Sequence, residues 1–360
     1  MDSKQLIDIQ THEVDLTLNN STPENDINKN ITKPKTKKSK VKKILFRIFS
    51  TIGVLILLYI ILNVICMLYE KHKIKSYNYG TTLNVNGHKM NIKTVGESNK
   101  PTIVFLTGYI VPSPVIYYKP LTELLSKTYK VITIEPFGYG LSDTVDDVRT
   151  IEKIVPELHS CIEQLNLTNY YLMAHSLGGI YSLYYANQYP NEVIGVIGFD
   201  TTVPKINGND EKMRNSLINA SKKYYWFNFF GLNRMMSIFN KSNIIVPLPV
   251  KVYNYSDEDI SIFRNLELAK GSNKNIMDEA VQSVHGLDII DNMKYPKNMT
   301  LIHFDSSKYT KSIPNYEQLH IDVGSESISN EVIVLKGSHG EFLFKHNDVI
   351  VSKLNDFIKK

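Results

Sequence analysis

The chain has 360 residues, 42% of them hydrophobic, with 22 tyrosines and 14 phenylalanines, which is enough to bury a large core. The net charge is +5, but residues 1–47 hold ten Lys/Arg against six Asp/Glu, so the rest of the chain is close to neutral. A near-neutral globular part excludes the basic surface that nucleic-acid binding requires, and two cysteines, Cys66 and Cys161, exclude a disulfide framework.

The N-terminal part divides into a polar tail and an apolar helix. Residues 1–47 begin rich in Asn, Asp and Thr and end in a basic block, so we expect a disordered, basic tail. Residues 48–69 are almost wholly apolar, and roughly 20 such residues cross a hydrocarbon core of about 30 Å as a helix. A cleaved signal peptide would have a shorter apolar core, and a buried soluble helix would not be apolar on every face. The sequence therefore predicts a transmembrane helix over residues 48–69.

The charges that flank this helix predict its orientation. Eight Lys/Arg lie from Lys33 to Arg47, and three lysines follow the helix, at Lys71, Lys73 and Lys75. By the positive-inside rule the N-terminus is cytoplasmic. We therefore expect a single-pass protein of the cell membrane whose larger part is extracellular.

From residue 79 onward, predicted strands alternate with predicted helices. An opening hairpin turns at Asn86-Gly87. The predicted strands are 82–85, 89–94, 102–106, 131–135, 170–173, 193–199, 300–303 and 332–335, and the predicted helices include 151–165, 180–188 and 348–358. This alternation predicts an α/β fold with a mostly parallel sheet and helices on both faces.

Residues 204–297 interrupt the alternation with a helical, aromatic segment. Its aromatic run extends from Tyr224 to Phe230. We expect a helical cap over 204–297, inserted between two parts of one core, 79–203 and 298–360. The aromatic run suits an apolar acyl group, the hydrophobic core of the cap itself, or contact with lipid.

Residues 174–179, Ala-His-Ser-Leu-Gly-Gly, lie between a predicted buried strand and a predicted helix. A sharp turn at Ser176 needs small residues two positions away on each side, and Ala174 and Gly178 meet that need. Such a turn places the hydroxyl at the carboxyl edge of the sheet, near a helix N-terminus whose dipole favours an oxyanion. We predict that Ser176 is a nucleophile; a purely structural turn is the alternative.

A histidine follows the last predicted strand, in the loop Gly-Ser-His-Gly of residues 337–340. From this position His339 can reach the turn and deprotonate Ser176 as a general base. His346 and His175 are the alternatives, although His175 is expected to point away from the hydroxyl.

Together these runs resemble the α/β-hydrolase family, in its lipase- or esterase-like branch with a cap, over about residues 79–358. The chain is most similar to membrane-anchored α/β hydrolases of Gram-positive bacteria. The resemblance implies a Ser–His–acid triad and an oxyanion hole made by the backbone N–H groups of Leu177 and of Tyr109, in the turn after strand 102–106. Thr107 stands where the family more often has His, which leaves backbone donation intact.

The acid of the implied triad has two candidates. The family usually carries it in a Gly-x-x-Asp turn after the strand that follows the cap. Here Phe304 replaces the glycine, Ser307 holds the acid position and Asp305 comes two residues early. Some branches carry the acid after the preceding strand, where Asp200 ends an apolar run. Either carboxylate could orient His339, and we favour Asp200.

These residues predict a serine hydrolase that cleaves a carboxylic ester, or secondarily an amide, through an acyl-enzyme intermediate. The expected substrate is a small-molecule ester or a lipid-like ester, and no metal or cofactor is needed. A serine at the turn argues against dehalogenase or epoxide-hydrolase chemistry, which similar enzymes perform with a carboxylate nucleophile.

Two alternative functions belong to other classes. One is a non-catalytic binding or signalling protein on a hydrolase scaffold. The other is a proline-iminopeptidase-like peptidase, in which acids of the cap would bind a free amine; its candidates are Glu258, Asp259 and Glu267.

Overall fold

The computed structural model describes residues 37–206, 211–239 and 245–359. The chain divides between Ile56 and Leu57 into two compact units. In the first unit the structure describes only a helix, α1 (Lys37–Ile74), and the second unit holds the last part of α1 and the whole sheet.

Helix α1 is longer than the sequence predicted. It begins at Lys37, so part of the predicted tail is helical, because lysine favours helices and no proline follows Pro34 in this stretch. The predicted disorder of residues 1–36 lies outside the described residues. From Lys40 to Ile74 the helix is long and apolar enough to cross a membrane.

The predicted sheet is confirmed. Its eight described strands are β1 (Thr81–Val85), β2 (His88–Val95), β3 (Thr102–Leu106), β4 (Lys130–Glu135), β5 (Tyr170–His175), β6 (Val193–Phe199), β7 (Thr300–Ser306) and β8 (Ser329–Leu335). They are ordered β1-β2-β4-β3-β5-β6-β7-β8, and every pair from β4 to β8 is parallel. The first hairpin turns at Asn86 and Gly87, which both have positive φ, as a tight two-residue hairpin requires.

Helices cover both faces of the sheet. They are α2 (Pro114–Tyr117), α3 (Lys119–Leu125), α4 (Ile151–Glu163), α5 (Gly178–Gln188), α10 (Ser307–Ser312), α11 (Tyr316–Val323), α12 (Phe342–Lys345) and α13 (Asn347–Lys359). One buried cluster joins Ile180 of α5 to Leu172 of β5, and another joins Leu121 and Leu354 to Met173. Consecutive strand residues therefore face opposite layers, as the alternation of side chains along a strand dictates.

Between β6 and β7 the structure describes four helices, α6 (Glu211–Phe229), α7 (Leu232–Phe239), α8 (Asp257–Lys270) and α9 (Lys274–Ile290). All lie in the range 204–297 that the sequence assigns to a cap. Helix α8 begins with a capping box between Ser256 and Asp259, and α9 begins at Asn273, whose side chain accepts two backbone N–H groups. The function of these helices as a cap stays a prediction.

The loop after β4 is built around the buried carboxylate of Glu135. This carboxylate accepts hydrogen bonds from Ser113 Oγ (2.7 Å), Leu141 N (2.8 Å) and Asn91 Nδ2 (2.9 Å). Gly140 has a φ of 46°, and a Cβ there would lie 1.8 Å from Glu135 Oε2. Only glycine fits where the backbone passes this close, so the loop keeps a single path past the carboxyl edge of the sheet.

Candidate active site

Ser176 occupies a strained turn between β5 and α5. Its φ is 53°, a left-handed conformation that costs a non-glycine residue about 1–2 kcal/mol. Three hydrogen bonds hold the turn: Ser176 N donates to Phe199 O (3.1 Å), and Ser176 O accepts from Gly179 N (2.9 Å) and Thr202 N (2.8 Å). A Cβ at Gly178 would lie 2.7 Å from the Leu106 carbonyl oxygen, so a larger residue would push the helix away from the sheet. Strain that the surroundings hold in place is typical of a functional position.

The turn after β3 passes directly beside this serine. A Cβ at Gly108 would lie 3.0 Å from the Cβ of Ser176. The two predicted oxyanion donors, the N–H groups of Tyr109 and Leu177, have no acceptor among the described residues. Backbone N–H groups without an acceptor can stabilise an oxyanion, and the assignment of these two donors stays a prediction.

A residue of α9 supports the turn after β3. Ile110, at a φ of 65°, donates its N–H to Tyr139 Oη (3.2 Å), and Tyr139 in turn donates to Glu279 of α9 (2.5 Å). Tyr181 donates to the other oxygen of the same carboxylate (2.6 Å). The sequence offered no signal for Glu279, because a buried carboxylate on a helix has no local motif.

His339 lies in the loop after β8, and its imidazole ring packs between two other aromatic rings. The ring of His175 stacks on one side and the ring of Tyr309 on the other, both with centroids 4.6 Å away. Nδ1 of His339 lies 3.0 Å from Asp200 Oδ2. Because Nδ1 is engaged by a carboxylate, Nε2 is the ring nitrogen left to exchange a proton.

Asp200 is buried at the end of β6 with a φ of 44°. Besides His339, its carboxylate accepts hydrogen bonds from Ser306 N (2.6 Å) and Tyr316 Oη (3.2 Å). Burial pushes its pKa upward, but the hydrogen bond and charge of His339 and the donors of Ser306 outweigh burial and hold the pKa below its ordinary value. The carboxylate is therefore ionised at neutral pH.

Asp305, the alternative acid, points elsewhere. It is fully buried on β7, and its nearest basic group is His320, whose Nδ1 lies 3.4 Å from Oδ2. Burial, followed by the charges of Asp200 and Glu317, raises the pKa of Asp305 to about 8. Asp200 and Asp305 end adjacent parallel strands, and only Asp200 reaches His339.

Asp305→Asn is expected to change how stability depends on pH. Between its ordinary pKa of 3.8 and its folded pKa of about 8, Asp305 keeps a proton in the folded protein that the unfolded chain loses. The free energy of unfolding therefore falls as pH rises through this range, by at most about 1.4 kcal/mol per pH unit. Apparent Tm of the detergent-solubilised protein, measured from pH 5 to pH 8, should decline more steeply in the wild type than in Asp305→Asn. Parallel profiles would contradict a buried neutral carboxyl group.

His175 and His346, the two alternative bases considered from the sequence, contact other groups. His175 Nδ1 lies 2.9 Å from Tyr118 Oη, and burial, followed by the charge of His339, lowers the pKa of His175 to about 3. His346 Nε2 lies 2.6 Å from the Lys336 carbonyl oxygen. Of these three histidines, only His339 is paired with a carboxylate among the described residues.

The cap acids proposed for amine binding are mostly engaged in structural contacts. Glu267 accepts the N–H groups of Ile245 and Val246, and Asp259 closes the capping box of α8 and lies 2.6 Å from Lys119 Nζ. Glu258 is exposed on the same helix. Two of the three carboxylates therefore have structural partners already.

No hydrogen bond joins Ser176 Oγ to His339 among the described residues, although His175, the residue before the serine, stacks on the His339 ring. Contacts between a nucleophile and its base are often long before substrate binds. Within the described ranges, no group of three or more His, Cys, Asp or Glu side chains is placed to hold a metal ion.

The family model of the α/β-hydrolase fold matches residues 101–233, which include β3, β4, the Ser176 turn and β6. The chain has the α/β-hydrolase fold. The uncharacterized protein YbdG of Bacillus subtilis is 26% identical to this hydrolase over 297 residues, which cover 78% of this chain and 86% of YbdG.

Other similar proteins include epoxide hydrolases. Epoxide hydrolase 1 of Caenorhabditis elegans is 25% identical over 224 residues, covering 59% of this chain and 50% of its own. A laboratory-evolved variant of potato epoxide hydrolase superposes with a TM-score of 0.61 at 16% identity, covering 78% of this chain and 98% of its own. At this identity, the structural similarity establishes the shared fold.

Proposed function

We propose that this α/β hydrolase is a membrane-anchored serine hydrolase that cleaves a carboxylic ester, and secondarily an amide, through an acyl-enzyme intermediate. The observation that carries the proposal is the 3.0 Å contact between His339 and Asp200, at the sheet edge where Ser176 lies in its strained turn. These three residues have the types and order along the chain that nucleophile, acid and base have in this fold.

In the proposed reaction Ser176 Oγ attacks the ester carbonyl carbon as its proton moves to Nε2 of His339. The ionised Asp200 stabilises the imidazolium, and the N–H groups of Tyr109 and Leu177 stabilise the oxyanion. The tetrahedral intermediate collapses, and the leaving alcohol takes the proton from His339. A water then repeats the sequence on the acyl-enzyme, which releases the carboxylic acid and restores the serine.

Ester hydrolysis is favoured over epoxide opening by the chemistry of the nucleophile. A carboxylate that opens an epoxide forms an ester, which water can hydrolyse to regenerate the enzyme. A serine would form an ether with the same carbon, and an ether has no carbonyl group for water to attack. Ser176 therefore fits acyl transfer, whereas the fold alone fits both reactions.

We further propose that α1 spans the cell membrane once, with the N-terminus in the cytoplasm and the hydrolase outside. The support is the excess of Lys/Arg before the apolar segment. Protease added to intact cells should then digest the hydrolase. Digestion only after lysis would place the hydrolase in the cytoplasm.

A fluorophosphonate probe and a substrate panel test the reaction. We expect the probe to add its phosphonyl mass to the peptide that contains Ser176. p-Nitrophenyl esters of graded acyl length should be hydrolysed, whereas styrene oxide should stay intact. Faster turnover of amino-acid naphthylamides than of esters would favour a peptidase. A folded protein that neither binds the probe nor hydrolyses any ester would support the non-catalytic alternative.

A further inference from the structure

A cavity lies outside the candidate active site. Its volume is about 830 Å³, and the last turns of α1, the β1–β2 hairpin, the loop after β4, and residues of α6, α7 and α8 form its walls. None of the candidate catalytic residues lines it. Its lining holds a single carboxylate, Asp143, against six basic side chains, Lys71, Lys75, Lys89, Arg234, Lys270 and Lys274. We call this cavity the lysine pocket.

Three of the six basic side chains have no counter-ion among the described residues: Lys71, Lys75 and Lys89. Arg234 is neutralised by Glu70, with Nη2 and Oε2 2.6 Å apart, and Lys274 lies 3.5 Å from Asp146. Lys270 forms no ion pair within 4 Å in the part of the chain that the structure describes, but the charges of Glu135 and Asp143 act on it. A pocket with several unpaired cations and low-dielectric walls attracts an anion.

Lys270 is held at the floor of the pocket. Its ammonium group donates to the carbonyl oxygens of Gly140 (2.9 Å) and Ser142, both in the loop that Glu135 organises. Burial lowers the pKa of Lys270 to about 8, and the charges of Glu135 and Asp143 act in the opposite direction. A bound anion would favour the charged ammonium form.

Two buried polar side chains of the pocket have unsatisfied atoms. Ser272 is 2% exposed and Asn228 is 8% exposed, and neither Ser272 Oγ nor Asn228 Oδ1 has a hydrogen-bond partner among the described residues. Both residues line the pocket. Ser272 Oγ can donate a hydrogen bond to an oxygen of a bound ligand, whereas Asn228 Oδ1 can only accept one, so Ser272 is the one of the two that suits an anion.

The contacts beside the pocket join the apolar segment of α1 to the turn between α6 and α7. Tyr59 Oη and Asn63 Nδ2, in the apolar segment of α1, donate to the carbonyl oxygens of Phe230 (2.8 Å) and Phe229 (3.4 Å) in the turn between α6 and α7. Trp226, Phe229 and Phe230 are about half exposed and pack against one another. Tyr59 lies in the middle of the predicted span 48–69, so these exposed rings would lie at the depth of the lipid acyl chains.

The pocket is lined by both apolar and basic residues from the end of α1. Met67 lies in the predicted span and Lys71 one turn further along α1, and Lys75 follows directly after the helix ends at Ile74. Lys71 lies roughly 18 Å along the helix axis from Tyr59, at 1.5 Å per residue. Lys71 is therefore at the level that lipid phosphates occupy.

We propose that the lysine pocket binds the phosphate-bearing headgroup of an anionic membrane lipid. The lysines would pair with the phosphate, Ser272 would donate a hydrogen bond to one of its oxygens, and the acyl chains would leave along Met67 and Phe229. The inference depends on α1 spanning a membrane, and it does not depend on ester hydrolysis.

The test uses the full-length protein in neutral detergent, with native mass spectrometry and thermal shift. Wild type should retain phosphatidylglycerol in preference to phosphatidylcholine, and phosphatidylglycerol should raise its apparent Tm. The pocket variant Lys71→Gln/Lys75→Gln/Lys89→Gln should bind phosphatidylglycerol roughly tenfold or more weakly. The matched control Lys127→Gln/Lys153→Gln/Lys297→Gln removes the same charge from exposed positions outside the pocket and should bind like wild type.

Ser272→Ala should also weaken binding while leaving the lipid-free Tm unchanged or higher, because its hydroxyl lacks a partner without ligand. Hydrolysis of p-nitrophenyl butyrate by the pocket variants should equal that of wild type, which separates this test from the test of the proposed reaction. Equal retention of the two lipids, or equal binding by the pocket and control variants, would overturn the proposal. An equal Tm rise with inorganic phosphate alone would overturn the lipid assignment in favour of a soluble phosphate.

Discussion

Ser176→Ala is expected to lower ester turnover by about 10⁴- to 10⁶-fold, since the acyl-enzyme cannot form without the hydroxyl. The turn itself should persist, because its hydrogen bonds are made by the backbone of Ser176 and its neighbours. Turnover is measured with the p-nitrophenyl ester that the substrate panel identifies as best, at saturating concentration.

Two controls separate lost chemistry from lost structure. Ser126→Ala changes a serine that ends α3, at a position remote from the Ser176 turn in the chain, and should keep wild-type turnover. The apparent Tm of Ser176→Ala should match or exceed that of wild type, because alanine removes only the hydroxyl. Residual turnover within tenfold of wild type would mean that another residue is the nucleophile.

Asp200→Asn is expected to lower kcat by about 10⁴-fold, through the tautomer of His339. An amide N–H facing Nδ1 would require Nδ1 to accept, which moves the ring proton to Nε2. In that tautomer Nε2 cannot take the proton of Ser176. The loss should diminish at high pH, where hydroxide can replace the base, and a pH–rate profile measures this change of shape.

Asp305→Asn is the matched control for this variant, because the two acids end neighbouring strands and both are buried. Asp305 contacts His320 and is neutral at pH 7, so its amide variant should keep kcat within about tenfold of wild type. If Asp305→Asn lost as much activity as Asp200→Asn, the assignment of the acid to Asp200 would be wrong.

The similarity to epoxide hydrolases establishes a shared fold and leaves the reaction open. In the proposed reaction the side chain at position 176 makes the difference, because a serine forms a hydrolysable ester with an acyl group but an ether with an epoxide carbon. Under the proposed function, the identity of one residue therefore separates two reaction classes on one architecture.

Local patterns were sufficient for the sheet and for the turn at Ser176. The predicted strands fall within observed strands because apolar runs bounded by turn residues have few other ways to bury their side chains. Strand 170–173 proves to extend to His175, directly before the serine. Local patterns missed α2 and α3, which are short, and placed the start of α1 too late.

By itself, the sequence determined the fold class, the position of Ser176 between a strand and a helix, and the position of His339 after the last strand. These follow from side-chain periodicity and from glycines that only a tight turn needs. Only the tertiary structure decided that Asp200 contacts His339. Side chains alternate between the two faces of a sheet, so the direction of a carboxylate at a strand end depends on where the strand ends to within one residue. Asp200 also has a positive φ, which the sequence did not indicate. Tertiary structure likewise assembled the stacked rings around His339 and the lysine pocket, whose residues come from segments as far apart as α1 and α8 and share no sequence motif.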